Sequence, residues 1–253
     1  MNHDTDNVAY HDTDHERNLD TTQSLRSASL TAGLALALMT VLAPLAVFGA
    51  VGALVTPGDA GRTAQDIVGS EGVFRWGIAG LILVVILDIV VAAALLRLFE
   101  PVNRSLSIMA AWFRVVYATV YLVAIIQLIL ALGLLGDPDQ ALRSIYAYDT
   151  IWHVALIIFG VHLLVIGYLA YRSGFMPKVF GVLLVVAGLG YLADGFGVVV
   201  LRDYSISIGA FTFVGEVALT FWLLISGRRH DFGRAKPAES HLESDSSVTT
   251  TVG

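Results

Sequence analysis

Six apolar runs, near residues 28–55, 74–98, 107–135, 150–171, 178–200 and 205–226, constrain this chain more than any other feature. Each reaches the ~20 residues that cross ~30 Å of hydrocarbon at about 1.5 Å of helical rise per residue. A backbone in lipid must satisfy its N–H and C=O groups within the segment, so each run is expected to be a helix. Transmembrane strands would need short alternating runs with polar inward faces, and the sequence has none. Charge agrees: only 14% of residues are charged, against roughly 25% in soluble domains. The expected fold is therefore all-α, an integral membrane bundle of six transmembrane helices. Its closest break is Arg202-Asp203-Tyr204-Ser205, between the fifth and sixth runs.

The polar residues collect at the two ends. Residues 1–27 are acidic and hold His3-Asp4-Thr5-Asp6, repeated at His11-Asp12-Thr13-Asp14. Too polar to bury apolar area, this segment is expected to be a disordered tail, its repeat solvated rather than metal-binding. Residues 227–253 are expected to form a second such tail, leaving 28–226 as the transmembrane domain. The small residues of 47–53 resemble a cleavage site, but the run around them is too long for a signal peptide of about 7–15 apolar residues. It is read as an uncleaved helix.

Loop charge sets an orientation. Ten Lys and Arg residues fall on one side: Arg17, Arg26, Arg97, Arg104, Arg172, Lys178, Arg228, Arg229, Arg234 and Lys236. Three, Arg62, Arg143 and Arg202, fall on the other. Both termini are therefore expected in the cytoplasm of a cell-membrane protein. The net charge of −6 argues against a nucleic-acid partner. Absent cysteine removes disulfides, thiolate metal sites and cysteine nucleophiles.

Ionisable side chains inside the spans are the functional candidates, since each costs ~2.5–3.5 kcal/mol at mid-helix. Counted from the cytoplasmic ends, Asp88, Arg114, His162 and Glu216 all lie roughly 10–15 Å into the membrane. Four helices thus offer an acid, a guanidinium, an imidazole and a second acid at one depth. They are expected to converge, with Asp88 and Arg114 as an ion pair. The competing role for that pair is to offset its own burial and hold helix register. Nearer the outside lies a second polar layer of Asp149, His153 and Asp194, with Gln127 and Tyr191. Asp149 and His153, four apart, share one helix face. Interface anchoring is the simpler role for this layer.

Other chemistry is not visible. No His-Glu-x-x-His, Walker loop or Gly-x-Ser-x-Gly occurs. Matched mid-membrane Gly-Pro breaks, the usual pointer to a secondary transporter, are also missing. Glycines such as Gly181, Gly188, Gly190, Gly195 and Gly197 are expected to let helices approach closely.

Two stretches carry a resemblance. One runs from Leu87-Asp88-Ile89 through Pro101-Val102-Asn103-Arg104 to Trp112-Phe113-Arg114. The other is Arg172-Ser173-Gly174-Phe175-Met176-Pro177-Lys178, continuing to Tyr191-Leu192-Ala193-Asp194. Together they resemble the prokaryotic multi-pass membrane family known as domain of unknown function 4386, over about residues 28–226. The resemblance implies a membrane protein of six or seven helices and no particular activity. Its motif positions fall on Asp88, Arg104, Arg114, Arg172, Pro177 and Asp194. Lys178 stands where the family pattern often has Arg, which keeps the charge but not a bidentate fork.

Three function classes follow. The first is a binding protein, sensory or accessory, holding a small apolar or lipid-like ligand at Asp88, Arg114, His162 and Glu216. The second is a small proton-coupled transporter using the buried Asp, Glu and His. The third, a membrane enzyme acting on lipid, lacks any visible nucleophile–base spacing. No cofactor is named by the sequence, and homo-oligomerisation stays open.

Overall fold

The computed structural model describes residues 4–201 and 209–229, with side chains over 23–201 and 215–225. Among these residues every regular element is helical: α1 Asp4–Pro44, α2 Ala60–Gly69, α3 Glu71–Phe99, α4 Arg104–Gly133, α5 Pro138–Arg172, α6 Lys178–Val200 and α7 Gly209–Arg229. Five stretches are long and apolar enough to cross a membrane: Gln23–Leu54, Glu71–Phe99, Arg104–Gly133, Pro138–Arg172 and Lys178–Val200. The protein is thus a multi-pass helical membrane protein. In α7 the described apolar part is Gly215–Ile225, shorter than a full span.

Helix starts follow local chemistry. Asp59 caps α2 by accepting from Arg62 N at 2.9 Å, and Asn103 caps α4 by accepting from Leu106 N at 3.0 Å. Asp137 caps α5, with Pro138 in the first turn where its missing N–H costs least. That signal starts α5 twelve residues before the expected position 150. The added turns bury Ala141, Leu142, Ile145 and Tyr148. Helix α2, which sequence reading left within a loop, packs against α5 and buries Thr63, Ala64 and Ile67.

The first run is not one uniform helix. Pro44 lacks an N–H and its ring crowds the carbonyl four residues back. The chain continues as a π-helix over Leu45–Val51 and a 3-10 turn over Gly52–Leu54. This segment lies on α3 where Gly77 and Gly80 leave room: a Cβ on Gly77 would fall 2.7 Å from that of Ala50.

At the other end, α1 begins at Asp4, so the backbone of residues 4–27 departs from the expected disordered tail. Neither Gly nor Pro occurs before Gly33. A segment joined to an existing helix adds hydrogen bonds without a new nucleus. Residues 1–3 and 230–253 of the two expected tails lie outside the described residues, while 227–229 end α7.

The long helices close a ring. α1 packs on α3, α3 on α4, α4 on α5, α5 on α6, α6 on α7, and α7 returns to α1. Ser29 Oγ donates to Leu223 O at 3.0 Å across that last seam. The outward faces carry Phe48, Trp76, Trp112 and Phe221, each more than 60% exposed. A water-soluble surface would not present so much contiguous apolar area; lipid is its solvent.

The α5–α6 contact is made backbone to backbone. A Cβ on Gly160 would lie 2.8 Å from Gly188 O, and one on Gly167 would lie 2.8 Å from Gly181 O. Gly181 and Gly188 face the same seam reciprocally: a Cβ on either would lie 2.7 Å from the carbonyl oxygen of Gly167 or Gly160 respectively. No side chain can yield there, because the obstruction is main chain. Gly188→Val is expected to cost about 1–3 kcal/mol or more, read as a lower unfolding temperature in detergent. Gly133→Ala, where nothing lies within 4 Å of the new Cβ, should leave that temperature unchanged.

Candidate functional site

Helical periodicity turns the candidate residues inward. On α3 the buried positions Leu81, Val84, Val85, Asp88, Val91 and Leu95 follow three- and four-residue steps, as do Ala110, Arg114, Tyr117, Ala118 and Tyr121 on α4. On α5 the same stripe runs Ala155, Phe159, His162, Leu163 and Ile166. The polar groups therefore sit on core faces, where a charge needs a partner.

Arg114 is the centre of the arrangement. Its Nη2 lies 2.6 Å from Asp88 Oδ1, and the two side chains are only 4% and 1% exposed. Its Nη1 lies 3.2 Å from His162 Nε2. A guanidinium can only donate, so Nε2 must accept, which places the imidazole hydrogen on Nδ1. That Nδ1–H donates to Ala110 O at 2.8 Å. The histidine is thereby held as one neutral tautomer. Phe159 flanks the group, with its ring centroid 5.3 Å from the Arg114 guanidinium carbon, within cation–π range. Asp88 Oδ2 and Arg114 Nε are buried with no hydrogen-bond partner among the described residues.

Glu216 reaches the same place from α7. Half-buried, it accepts from the Tyr191 hydroxyl at 2.7 Å through Oε1. Arg114, His162 and Glu216 line one pocket with Leu36, Leu95, Leu163, Ile166, Leu184 and Leu219. All six long helices contribute to it. Its volume is about 10 Å³, room for roughly one water-sized group.

The outer residues lie along the α5–α6 seam, where a Cβ on Gly195, next to Asp194, would fall 2.9 Å from His153 O. Asp149 is exposed, and His153 Nδ1 is bonded to the Asp149 carbonyl of its own helix at 2.7 Å. Asp194 is buried on α6. Tyr191, grouped by depth with this layer, instead reaches Glu216. Depth counting places Cα atoms, and a tyrosine side chain is long enough to bridge two depths. Phe159 went unread although it lies three residues before His162, on the same face. No group of three or more His, Asp or Glu side chains able to hold a metal occurs among the described residues.

Comparison with known proteins places this architecture in a family. The family model described as Domain of unknown function (DUF4386) matches residues 31–227. An uncharacterized protein of Archaeoglobus fulgidus is 36% identical over 154 residues, covering 61% of this chain and 85% of the relative. No solved structure matches. The chain belongs to the DUF4386 family.

The buried pair gives a direct prediction. Arg114→Met leaves Asp88 buried without its counter-ion and should cost about 3–5 kcal/mol. Replacing both partners, Asp88→Leu with Arg114→Met, should recover a large part of that loss. A double-mutant cycle on unfolding in detergent checks this; a double variant as unstable as the sum of the singles would count against the pair.

Proposed function

We propose that this DUF4386 protein crosses the membrane six times with both ends in the cytoplasm, and that its bundle binds a small apolar or lipid-like ligand by that ligand's polar group, in a sensory or accessory role. Two features support the sixth crossing. Helix α7 has 21 residues, about the number needed to span ~30 Å. It also completes the ring between α6 and α1, burying Leu219 and Leu223. The ten-to-three bias of loop cations supports the orientation.

The ligand reading is carried by one observation: the pocket at the centre of the ring sets Arg114, His162 and Glu216 among six aliphatic side chains. Ligand sites commonly pair an apolar lining with a few convergent polar groups. The pocket's small volume suits one hydroxyl or carbonyl oxygen. The apolar remainder of the ligand would then follow the seams between helices. Proton-coupled transport is the second reading, favoured by two carboxylates, Asp88 and Glu216, grouped around one guanidinium.

Two measurements test these points. The chain has no cysteine, so single cysteines can report topology cleanly. An impermeant maleimide should label Gly136→Cys in intact cells and Ser240→Cys only after permeabilisation. Labelling of position 240 in intact cells would overturn the six-span orientation. Mass spectrometry of small molecules co-purifying in mild detergent tests binding. An amphipathic compound present with the wild type should fall at least tenfold in a Glu216→Gln, His162→Ala double variant. Equal recovery from both proteins would remove the binding site from this cluster.

A further inference from the structure

The interior charges do not balance. Arg114 is the one buried lysine or arginine among the described residues. Its charge is already met by Asp88 at 2.6 Å. Glu216 is a second carboxylate lining the same pocket. Among the described residues the titratable and charged groups around it can be named, beginning with Tyr117 of α4. Tyr191 from α6 donates to it, with Asp194 one turn further along the same helix. Arg114 from α4 and the neutral His162 from α5 share its pocket, with Asp88 of α3 behind Arg114. Helix α1 contributes only Leu36 to the pocket; its nearest described cation, Arg26, lies ten residues earlier, about 15 Å along the helix. Two carboxylates thus face one guanidinium in a region where an unpaired charge is costly.

We propose that Glu216 is a proton-binding site, carrying a proton while Asp88 holds Arg114 and exchanging it with water that reaches the pocket. The step balances without any further reactant: the carboxylic acid and water give the carboxylate and hydronium. Since Oε1 accepts from Tyr191, Oε2 carries the proton. The pocket, sized for one water, admits the exchange partner and little else. A metal cation is a poorer occupant, since it would lie beside the guanidinium with like charge. Loss of the proton creates a second claimant for Arg114, whose buried Nε has no hydrogen-bond partner among the described residues. Protonation of Glu216 thereby governs whether Arg114 is held by α3 alone or shared between α3 and α7. This inference does not rest on the apolar-ligand reading, because a proton needs no more space than the pocket has.

Infrared difference spectroscopy on full-length protein in lipid, at neutral pH, tests it. Subtracting Glu216→Gln from the wild type should isolate the C=O stretch of a carboxylic acid. The glutamine is isosteric and still accepts from Tyr191, so folding should be retained. Tyr191→Phe should shift that band by removing the hydrogen bond to Oε1. In Asp88→Asn the band should disappear, because Glu216 ionises to become the counter-charge of Arg114. A merely structural carboxylate would show none of these changes. Absence of the band from the wild-type minus Glu216→Gln spectrum would overturn the proposal, as would its persistence unchanged in Asp88→Asn.

Discussion

Hydrocarbon offers no partner to a backbone N–H or C=O, and the whole architecture follows from that shortage. Helices satisfy these groups locally, so the chain can turn apolar side chains outward and still leave no backbone unpaired. Where regular helix is interrupted, at Pro44 and the π-helix after it, the irregular backbone rests against the glycine face of α3 instead of standing alone. With little hydrophobic gain in moving an apolar side chain from lipid to protein, helix association depends on close packing. The carbonyl-to-glycine contacts of α5 and α6 show that closeness most directly.

The same shortage governs the interior side chains. A buried ion pair gains little net stability, because desolvation takes back most of the Coulomb attraction. Its effect is to fix which helices meet, and at what register. Asp88 on α3, Arg114 on α4 and His162 on α5 form one continuous chain of contacts ending on Ala110 O. Sliding any of these helices by one turn would leave a charged or polar group without its partner. Glu216 and Tyr191 tie α7 to α6 by the same kind of bond. The polar cluster and the six-membered ring therefore support each other.

Much of the cluster was legible before any coordinates. Counting residues from the helix ends placed Asp88, Arg114, His162 and Glu216 at one depth, since rise per residue is nearly constant. That count carries no information about direction around the helix axis or about side-chain reach. Tyr191, grouped by depth with the outer layer, accordingly reaches inward to Glu216. The early start of α5 was written in Asp137-Pro138, but the apolar average over that region is too low to show it. Helix α2 was hidden for a related reason: its apolar face is narrow and gains meaning only once α5 lies beneath it.

Composition and periodicity by themselves determined that this chain is a helical membrane protein and which few ionisable groups lie within the membrane. Those properties depend on the energy of each segment in lipid, summed residue by residue along the chain. The tertiary structure alone decided that α7 closes the ring on α1, that α5 and α6 meet at their glycines, and that one guanidinium stands between an aspartate and a histidine beside a second acid. These features depend on which helix faces which. A helix's own sequence specifies the stripe it must bury but leaves open the neighbour that buries it, and that choice is made by the packing of all the helices together.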